Sequence, residues 1–193
     1  MRRWTGAGLL TVVVGAGAWA QSPETLEAVR LHRAEARSLA RQDLQSCMSS
    51  KCPDAGRIAL LAGTLALAEG DVVEARTLLT GASVAEPLQP YLAYYQGQAH
   101  FYAGDAAAAA EAFGRAVDKG PAALTSRARA RLGESLLAAG KAKEAAPALE
   151  TAATEEPSAE LLYQRAQARR ATGNATGEHA DLKAVALRYP THP

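Results

Sequence analysis

The sequence predicts an all-α protein built from stacked pairs of helices, and three observations support this prediction. Alanine is abundant and aromatic residues make up only 5% of the 193 residues, whereas sheets are enriched in β-branched and aromatic residues. A glycine recurs at intervals of 34, 36 and 33 residues, at Gly70, Gly104, Gly140 and Gly173. A proline recurs at the same intervals, at Pro87, Pro121, Pro157 and Pro190. Two matching columns indicate a repeated structural unit.

Residues 1–20 have the features of a secretory signal peptide. Arg2 and Arg3 supply a positive start, an apolar stretch follows, and residues 18–20 (Ala-Trp-Ala) form a small-x-small cleavage site. We therefore predict cleavage before Gln21 and export, with twin-arginine export left open by the arginine pair. The apolar run is shorter than the roughly 20 residues that span a membrane, so we expect no membrane span after cleavage.

Residues 21–50 predict one long helix that caps the repeats. Apolar side chains recur at helical spacing, and we expect them to face the first repeat: Leu26, Val29, Ala36, Leu39, Ala40 and Leu44. An arginine stripe runs along the same helix, at Arg30, Arg33, Arg37 and Arg41. We interpret this stripe as a solvated face balanced by nearby glutamates. An anion-binding surface is the alternative.

Cys47 and Cys52 are the only cysteines of the chain. In an oxidising compartment a nearby pair usually forms a disulfide, which here would link two helices across a short loop. A metal site is the alternative, but it needs further ligands, and the histidines are scattered singly. Redox catalysis is less favoured, because reactive pairs usually have two residues between the cysteines.

Residues 51–193 predict four helix–turn–helix repeats, at about 56–89, 90–123, 126–158 and 159–192. Each recurring glycine ends one helix, because a left-handed backbone costs glycine little. Asp71, Asp105 and Asn174 follow three of these glycines and are expected to cap the next helix. Each recurring proline is expected to end the second helix. Small residues recur where helices would cross, at Gly63, Gly97, Gly133 and Ala166, and at Ala75, Ala109 and Ala145, with Glu178 in the fourth repeat.

These columns resemble the tetratricopeptide repeat (TPR) family over roughly 56–192. The large apolar residue of the family motif is supplied by Leu79, Phe113, Leu149 and Leu182. The large aromatic residue expected early in the first helix is replaced by Ala59, Ala93, Arg129 and Leu162. The fourth repeat is the most degenerate, since Glu178 stands at a normally small position. The resemblance implies a right-handed superhelical solenoid.

The resemblance also implies a binding groove lined by the first helix of each repeat. Carried onto this sequence, the groove comprises Arg57, Thr64, Tyr91, Tyr94, Gln98, Tyr102, Arg127, Glu134, Tyr163, Gln167 and Arg170, with Leu60, Leu67, Phe101, Leu137 and Glu160 beside them. Tyrosine suits recognition because it offers a large, stiff surface with a polar tip. The alternative is that Tyr94 or Tyr95 fills the volume of the missing early aromatic.

We therefore expect an exported, non-catalytic scaffold in the bacterial periplasm or cell envelope that binds a protein or peptide partner. The sequence contains no phosphate-binding loop or nucleophile elbow and predicts no cofactor or metal. The 21 Lys and Arg residues against 20 Asp and Glu residues argue against nucleic acid as the partner.

A different class of function stays open. Exported helical repeats also resemble the superhelix that precedes the catalytic domain of soluble lytic transglycosylases. In that case this chain would be a fragment, and the catalytic domain would lie beyond Pro193. Glu134-Ser135 matches the catalytic dipeptide of those enzymes but lacks the sequence that follows it there, so we interpret Glu134 as a groove residue. The partner and the oligomeric state are not predicted.

Overall fold

The structure is a computed structural model that describes residues 23–50 and 52–190. The predicted signal peptide, residues 1–20, lies outside this range. The described part contains α-helices and one short 3₁₀-helix (Glu86–Leu88), and no strand. The α-helices are α1 (Pro23–Ser50), α2 (Ala55–Ala68), α3 (Val72–Gly81), α4 (Gln89–Tyr102), α5 (Ala106–Lys119), α6 (Ala122–Ala138), α7 (Ala142–Glu155), α8 (Ala159–Ala171) and α9 (Ala175–Arg188). The predicted all-α fold is confirmed.

Four helix pairs follow α1, and each helix packs against the next one in the chain. The first helices of neighbouring pairs (α2, α4, α6 and α8) also contact one another. Within the described residues, the second helices (α3, α5, α7 and α9) make no such contacts among themselves. The first helices therefore lie closer together than the second helices, and they line the concave side of the solenoid.

The turns between paired helices have the predicted chemistry. The four recurring glycines adopt φ values of 75° to 81°, a region that a residue with a Cβ enters only at a cost. The carboxylates of Asp71 and Asp105 each accept a hydrogen bond from a backbone N–H at 3.1 Å. The Asn174 side-chain oxygen accepts one at 2.9 Å. The third turn has Lys141, which makes no such bond, because an ammonium group cannot accept.

The recurring glycines of the first helices make room for one large side chain from the second helix. A Cβ built on Gly97 would lie 2.7 Å from the Phe113 ring. Gly63 faces Leu79 and Gly133 faces Leu149 in the same way, at 2.6 Å and 2.5 Å. All three large side chains are completely buried, as are the small residues Ala75, Ala109 and Ala145. This repeated contact is the centre of each of the first three pairs.

The prediction for the recurring prolines holds for three of them and is wrong for Pro87. Pro121, Pro157 and Pro190 each stand two residues beyond a second helix, whereas α3 ends at Gly81, well before Pro87. Glycine disfavours helix by about 1 kcal/mol, and Ala82 takes an extended conformation. The carbonyl of Ser83 then packs against Gly56 so closely that a Cβ at Gly56 would not fit.

The buried face of α1 differs from the predicted apolar face. Ala36 and Leu39 are exposed, whereas the buried residues are Arg37, Ala40, Leu44 and Cys47. Leu26 and Val29 lie outside the residues whose side chains the structure describes. Ala40 and Leu44 belong to the predicted face, but the helix is rotated relative to the prediction so that Arg37 is also buried.

The interpretation of the arginine stripe as a solvated face is wrong for Arg37. Arg37 is only 8% exposed, and its guanidinium forms ion pairs with Glu69, Asp71 and Glu74 at the turn between α2 and α3. Arg41 pairs with Glu74 beside it. Both arginines therefore bind acidic side chains of the first helix pair and its turn.

Cys47 lies in the last turns of α1, and Cys52 stands just before α2. The structure joins them in a disulfide with their Cα atoms 5.0 Å apart, within the usual range for such a bond. The backbone N–H of Cys52 also donates to the carbonyl of Cys47 at 3.0 Å. The end of α1 is thereby fixed close to the start of α2.

Candidate binding groove

The concave surface presents the same three helical positions from each first helix. Each first helix has a small residue where it crosses its partner, at Gly63, Gly97, Gly133 or Ala166. The three groove positions lie six residues before this small residue, two residues before it, and one residue after it. This spacing of four and then three residues places the side chains on one face of a helix. The row two residues before the glycine is Leu61, Tyr95, Arg131 and Gln164. Three pockets lie along these rows.

The first pocket, called here the N-terminal pocket, has a volume of about 620 Å³ and lies between α2 and α4. Its lining is mostly apolar: Ile58, Leu60, Leu61, Leu88, Tyr91 and Tyr95, with Asp54, Arg57 and Thr64. Leu61 is 54% exposed and adds an accessible apolar side chain to this lining. Arg57 pairs with Asp54 at 3.1 Å, and both side chains are more than half exposed.

The central pocket, of about 260 Å³, lies among α4, α6, α7 and α8. Its polar groups are Tyr94, Arg127, Arg131 and Glu156, with Ser126. Arg131 donates a hydrogen bond to Glu134 at 2.7 Å. Burial acts to lower the pKa of Arg131, but the hydrogen bond and the charge of Glu134 outweigh it, and the pKa is raised. Arg131 therefore keeps its charge next to this pocket.

Tyr94 is half-buried and has a packing role as well as a hydrogen-bonded hydroxyl. Its ring contacts the edge or face of Phe113 and Tyr95, with centroids 5.6 Å and 5.4 Å apart. The Tyr94 hydroxyl accepts a hydrogen bond from the side-chain amide of Gln98 at 3.2 Å. Burial raises the pKa of the Tyr94 phenol, so this group stays protonated. Both interpretations of Tyr94 thus describe part of its environment.

The C-terminal pocket, of about 370 Å³, lies between the last turns of α4 and α6 and the α8 helix. Its lining is Phe101, Glu134, Leu137, Ala138, Glu160, Tyr163, Gln164 and Gln167. Tyr163 is 49% exposed. The chemistry of this pocket is mainly amide and carboxylate, in contrast to the apolar N-terminal pocket.

The structure distributes the predicted groove residues over these three pockets and their edges. Arg57, Thr64 and Tyr91 lie in the N-terminal pocket, Tyr94 and Arg127 in the central pocket, and Glu134, Tyr163 and Gln167 in the C-terminal pocket. Gln98 contacts Tyr94. Tyr102 is 54% exposed at the end of α4, near Arg131. Arg170 pairs with Glu178 at 2.6 Å and lines none of the three pockets.

Sequence reasoning missed the row formed by Leu61, Tyr95, Arg131 and Gln164, all of which line a pocket. The signal was present, because Arg131 lies four residues after Arg127 and three before Glu134. The same spacing places Leu61 between Arg57 and Thr64, and Gln164 between Glu160 and Gln167. Helical periodicity applied to the chosen residues would have identified this row.

The Glu134-Ser135 dipeptide has a structural arrangement. Ser135 is completely buried, and its hydroxyl donates to the carbonyl of Arg131 at 2.7 Å. Glu134 pairs with Arg131.

Across residues 23–50 and 52–190, no three His, Cys, Asp or Glu side chains come together as metal ligands. In the same part of the chain, no helix has the length and apolar character needed to cross a membrane.

Comparison with known proteins gives a family and a set of related folds. The Tetratricopeptide repeat model matches residues 60–124, 94–148 and 130–193. A crystal structure of MamA aligns with a TM-score of 0.69 at 19% identity, covering 85% of this chain and 92% of that one. A structure of nearly identical TPR-like repeats from a putative kinesin light chain of Podosopora anserina aligns with a TM-score of 0.64 at 18% identity, covering 85% and 91%. No curated protein matches the sequence.

Proposed function

Because this chain belongs to the tetratricopeptide repeat family, we propose that it is a non-catalytic scaffold that binds a protein or peptide segment along its concave surface. The supporting observation is the line of three pockets on α2, α4, α6 and α8. Tyr91, Tyr102 and Tyr163 are 38%, 54% and 49% exposed on these helices. Exposed aromatic side chains beside pockets are typical of residues that dominate binding energy.

We also propose that the scaffold works outside the cytoplasm, in the periplasm or cell envelope. Two features of the chain support this location. Residues 1–20 have the composition of a secretory signal, and Cys47 lies within bonding distance of Cys52. Disulfides persist in oxidising compartments and are rare in the cytosol of mesophiles.

Peptide selection tests the groove directly without a known partner. Random dodecapeptides displayed on phage would be selected on the purified protein, and the enriched peptides would be synthesised with a fluorescent label. Fluorescence anisotropy would then compare the protein with a variant carrying Tyr91→Ala, Tyr102→Ala and Tyr163→Ala. We expect affinity to fall by about 10-fold or more, because each truncation removes aromatic contact area.

A matched control variant carries Val73→Ala and Leu187→Ala. These residues are 79% and 71% exposed, and they lie on the second helices α3 and α9. Affinity should stay within about 2-fold of the original in this variant, and circular dichroism should show unchanged helix content in both. Failure to enrich any peptide, or equal losses in the two variants, would contradict the proposed function.

A further inference from the structure

The groove changes from apolar to polar along its length. In the row two residues before the small position, Leu61 and Tyr95 line the N-terminal pocket, whereas Arg131 and Gln164 line the central and C-terminal pockets. A segment lying along the groove therefore meets an apolar surface at one end. At the next pocket it meets hydrogen-bond donors and positive charge.

Among the groove arginines in the described part of the chain, Arg127 is the one that forms no ion pair. Arg57 pairs with Asp54, Arg131 with Glu134, and Arg170 with Glu178. Arg127 is exposed, lines the central pocket, and forms no ion pair within the described residues. Its guanidinium is therefore available to a ligand, and an acidic group is its complementary partner.

The Tyr94 hydroxyl supplies a second donor in the same pocket. It accepts a hydrogen bond from Gln98, and no described residue accepts its own proton. The phenol remains neutral because burial raises its pKa. A protonated phenol that already accepts one bond is suited to donate to an oxygen acceptor.

Glu156 is the opposing charge in the central pocket. It is exposed, it lines the pocket together with Arg127, and it forms no ion pair with a described residue. Its carboxylate should weaken the attraction of this pocket for an acidic group, since like charges repel. Arg127 and Glu156 therefore provide two substitutions with opposite expected effects.

We propose that the groove recognises an extended segment in which a bulky apolar residue and an Asp or Glu stand about three residues apart. The apolar side chain would occupy the N-terminal pocket, and the acidic side chain would bind Arg127 and the Tyr94 hydroxyl. Packed helices lie roughly 10 Å apart, and an extended chain advances about 3.3 Å per residue, which sets this spacing. The inference rests on the proposed function and adds the chemistry of the partner.

The selected dodecapeptides carry the first test. We expect their sequences to be enriched in Asp or Glu two to four residues from Leu, Ile, Met or Phe. The consensus peptide would then be made with an amidated C-terminus, so that a chain-terminal carboxylate is absent. Replacing its acidic residue by Gln or Asn should weaken binding to the unmodified protein by about 5- to 10-fold.

Substitutions in the protein then locate the contact. Arg127→Gln should weaken binding of the acidic peptide by a similar factor and leave the affinity for the neutral peptide within about 2-fold of the original. The reason is that the substitution in the protein and the one in the peptide remove the same contact. Glu156→Gln should strengthen the acidic peptide by about 2- to 3-fold. Tyr94→Phe keeps the ring against Phe113 and should weaken the acidic peptide only.

The failures of the two proposals are distinguishable. Peptides that bind in a tyrosine-dependent manner, but equally well in acidic and neutral forms, would overturn this inference and leave the proposed function standing. An Arg127→Gln effect of the same size on both peptides would also overturn it. Absence of any enriched peptide would count against both proposals.

Discussion

Gly97 shows how one absent side chain determines the packing of a helix pair. The Phe113 ring fills the space beside it and is completely buried. The same ring packs against the ring of Tyr94, with their centroids 5.6 Å apart. A residue in the core of the second pair is thus connected by two contacts to the central pocket of the groove.

Replacing Gly97 by Ala should destabilise the protein by about 1–3 kcal/mol, the usual cost of overfilling a packed core. The added Cβ would lie 2.7 Å from Phe113, so the ring must shift. The higher helix propensity of alanine offsets about 1 kcal/mol of this cost at most. The free energy of unfolding in urea, monitored by circular dichroism, measures the change.

Gly114→Ala provides the matched control on the partner helix α5. A Cβ at Gly114 would meet nothing within 4 Å, so only the propensity gain applies, and stability should rise by up to about 1 kcal/mol. Changes of the same sign and size in the two variants would show that the contact with Phe113 does not constrain Gly97.

The residues in the helix contacts were predictable from the sequence, whereas part of the groove was not. Each helix crossing accepts one size of side chain, so glycine and alanine recur in visible columns. The groove row Leu61, Tyr95, Arg131, Gln164 lies outside these crossings, and its members range from the half-exposed Leu61 to the buried Gln164. These four side chains differ in size and polarity, so no recurring residue type marks the row in the sequence. The groove residues predicted from the sequence rest on the family resemblance, and helical spacing alone connects this row to them.

At the scale of the element, α1 is attached to the first helix pair by charge as well as by apolar contact. The sequence predicted the helix itself, because its apolar residues recur at helical spacing. It did not predict the rotation that buries Arg37, since the acidic partners Glu69, Asp71 and Glu74 stand more than thirty residues later. A pattern within one helix contains no information about such partners.

Arg37→Gln should loosen α1 while leaving the repeats folded. Three carboxylates would lose their shared cation, and the cost of breaking a largely buried ion pair is about 3 kcal/mol; partial exposure of Asp71 reduces it toward about 2 kcal/mol. Hydrogen–deuterium exchange read by mass spectrometry should be faster in α1 of the variant than in α1 of the unmodified protein. Exchange in α4 and α5 should be the same in the two proteins. Cys47 and Cys52 would still hold the end of the helix.

Arg33→Gln is the control for this prediction. Arg33 lies one turn earlier on α1 and is exposed, so its replacement should leave the exchange of α1 unchanged. Equal acceleration in both variants would point to a general charge effect, and unchanged exchange in Arg37→Gln would contradict the attachment by ion pairs.

At the scale of the whole molecule, stability is distributed along a line of neighbours. Apart from the ion pairs that Arg37 and Arg41 make with Glu74 of α3, the described second helices pack only against the helices next to them in the chain, so a local loss has few routes to distant pairs. The two ends of the array also differ from its middle. Arg37 connects α1 to the first pair, and Asp181 connects the last three helices, whereas the second and third pairs are centred on the apolar contacts of Gly97 and Gly133.

Asp181 is the centre of an ionic cluster that replaces part of the apolar core in the fourth pair. Its carboxylate is 3% exposed and accepts hydrogen bonds from Arg165 at 2.6 Å and 3.0 Å and from Arg169 at 2.7 Å. Both arginines also bind Glu150 on α7. The hydrogen bond to Asp181 is the main cause of the raised pKa of Arg165.

Asp181→Asn should therefore destabilise the C-terminal end alone. The change leaves two largely buried arginines with one exposed carboxylate, Glu150, at a cost of about 3 kcal/mol. Hydrogen–deuterium exchange should accelerate in α8 and α9 while α2 to α5 keep their protection, because the helix pairs interact only with neighbours.

Glu178→Gln on the same helix is the control, since its partner Arg170 is 70% exposed and such a pair contributes less than about 1 kcal/mol. Uniform acceleration across all helices would show instead that the array unfolds as a single unit, in which the ionic cluster at one end supports the groove at the other.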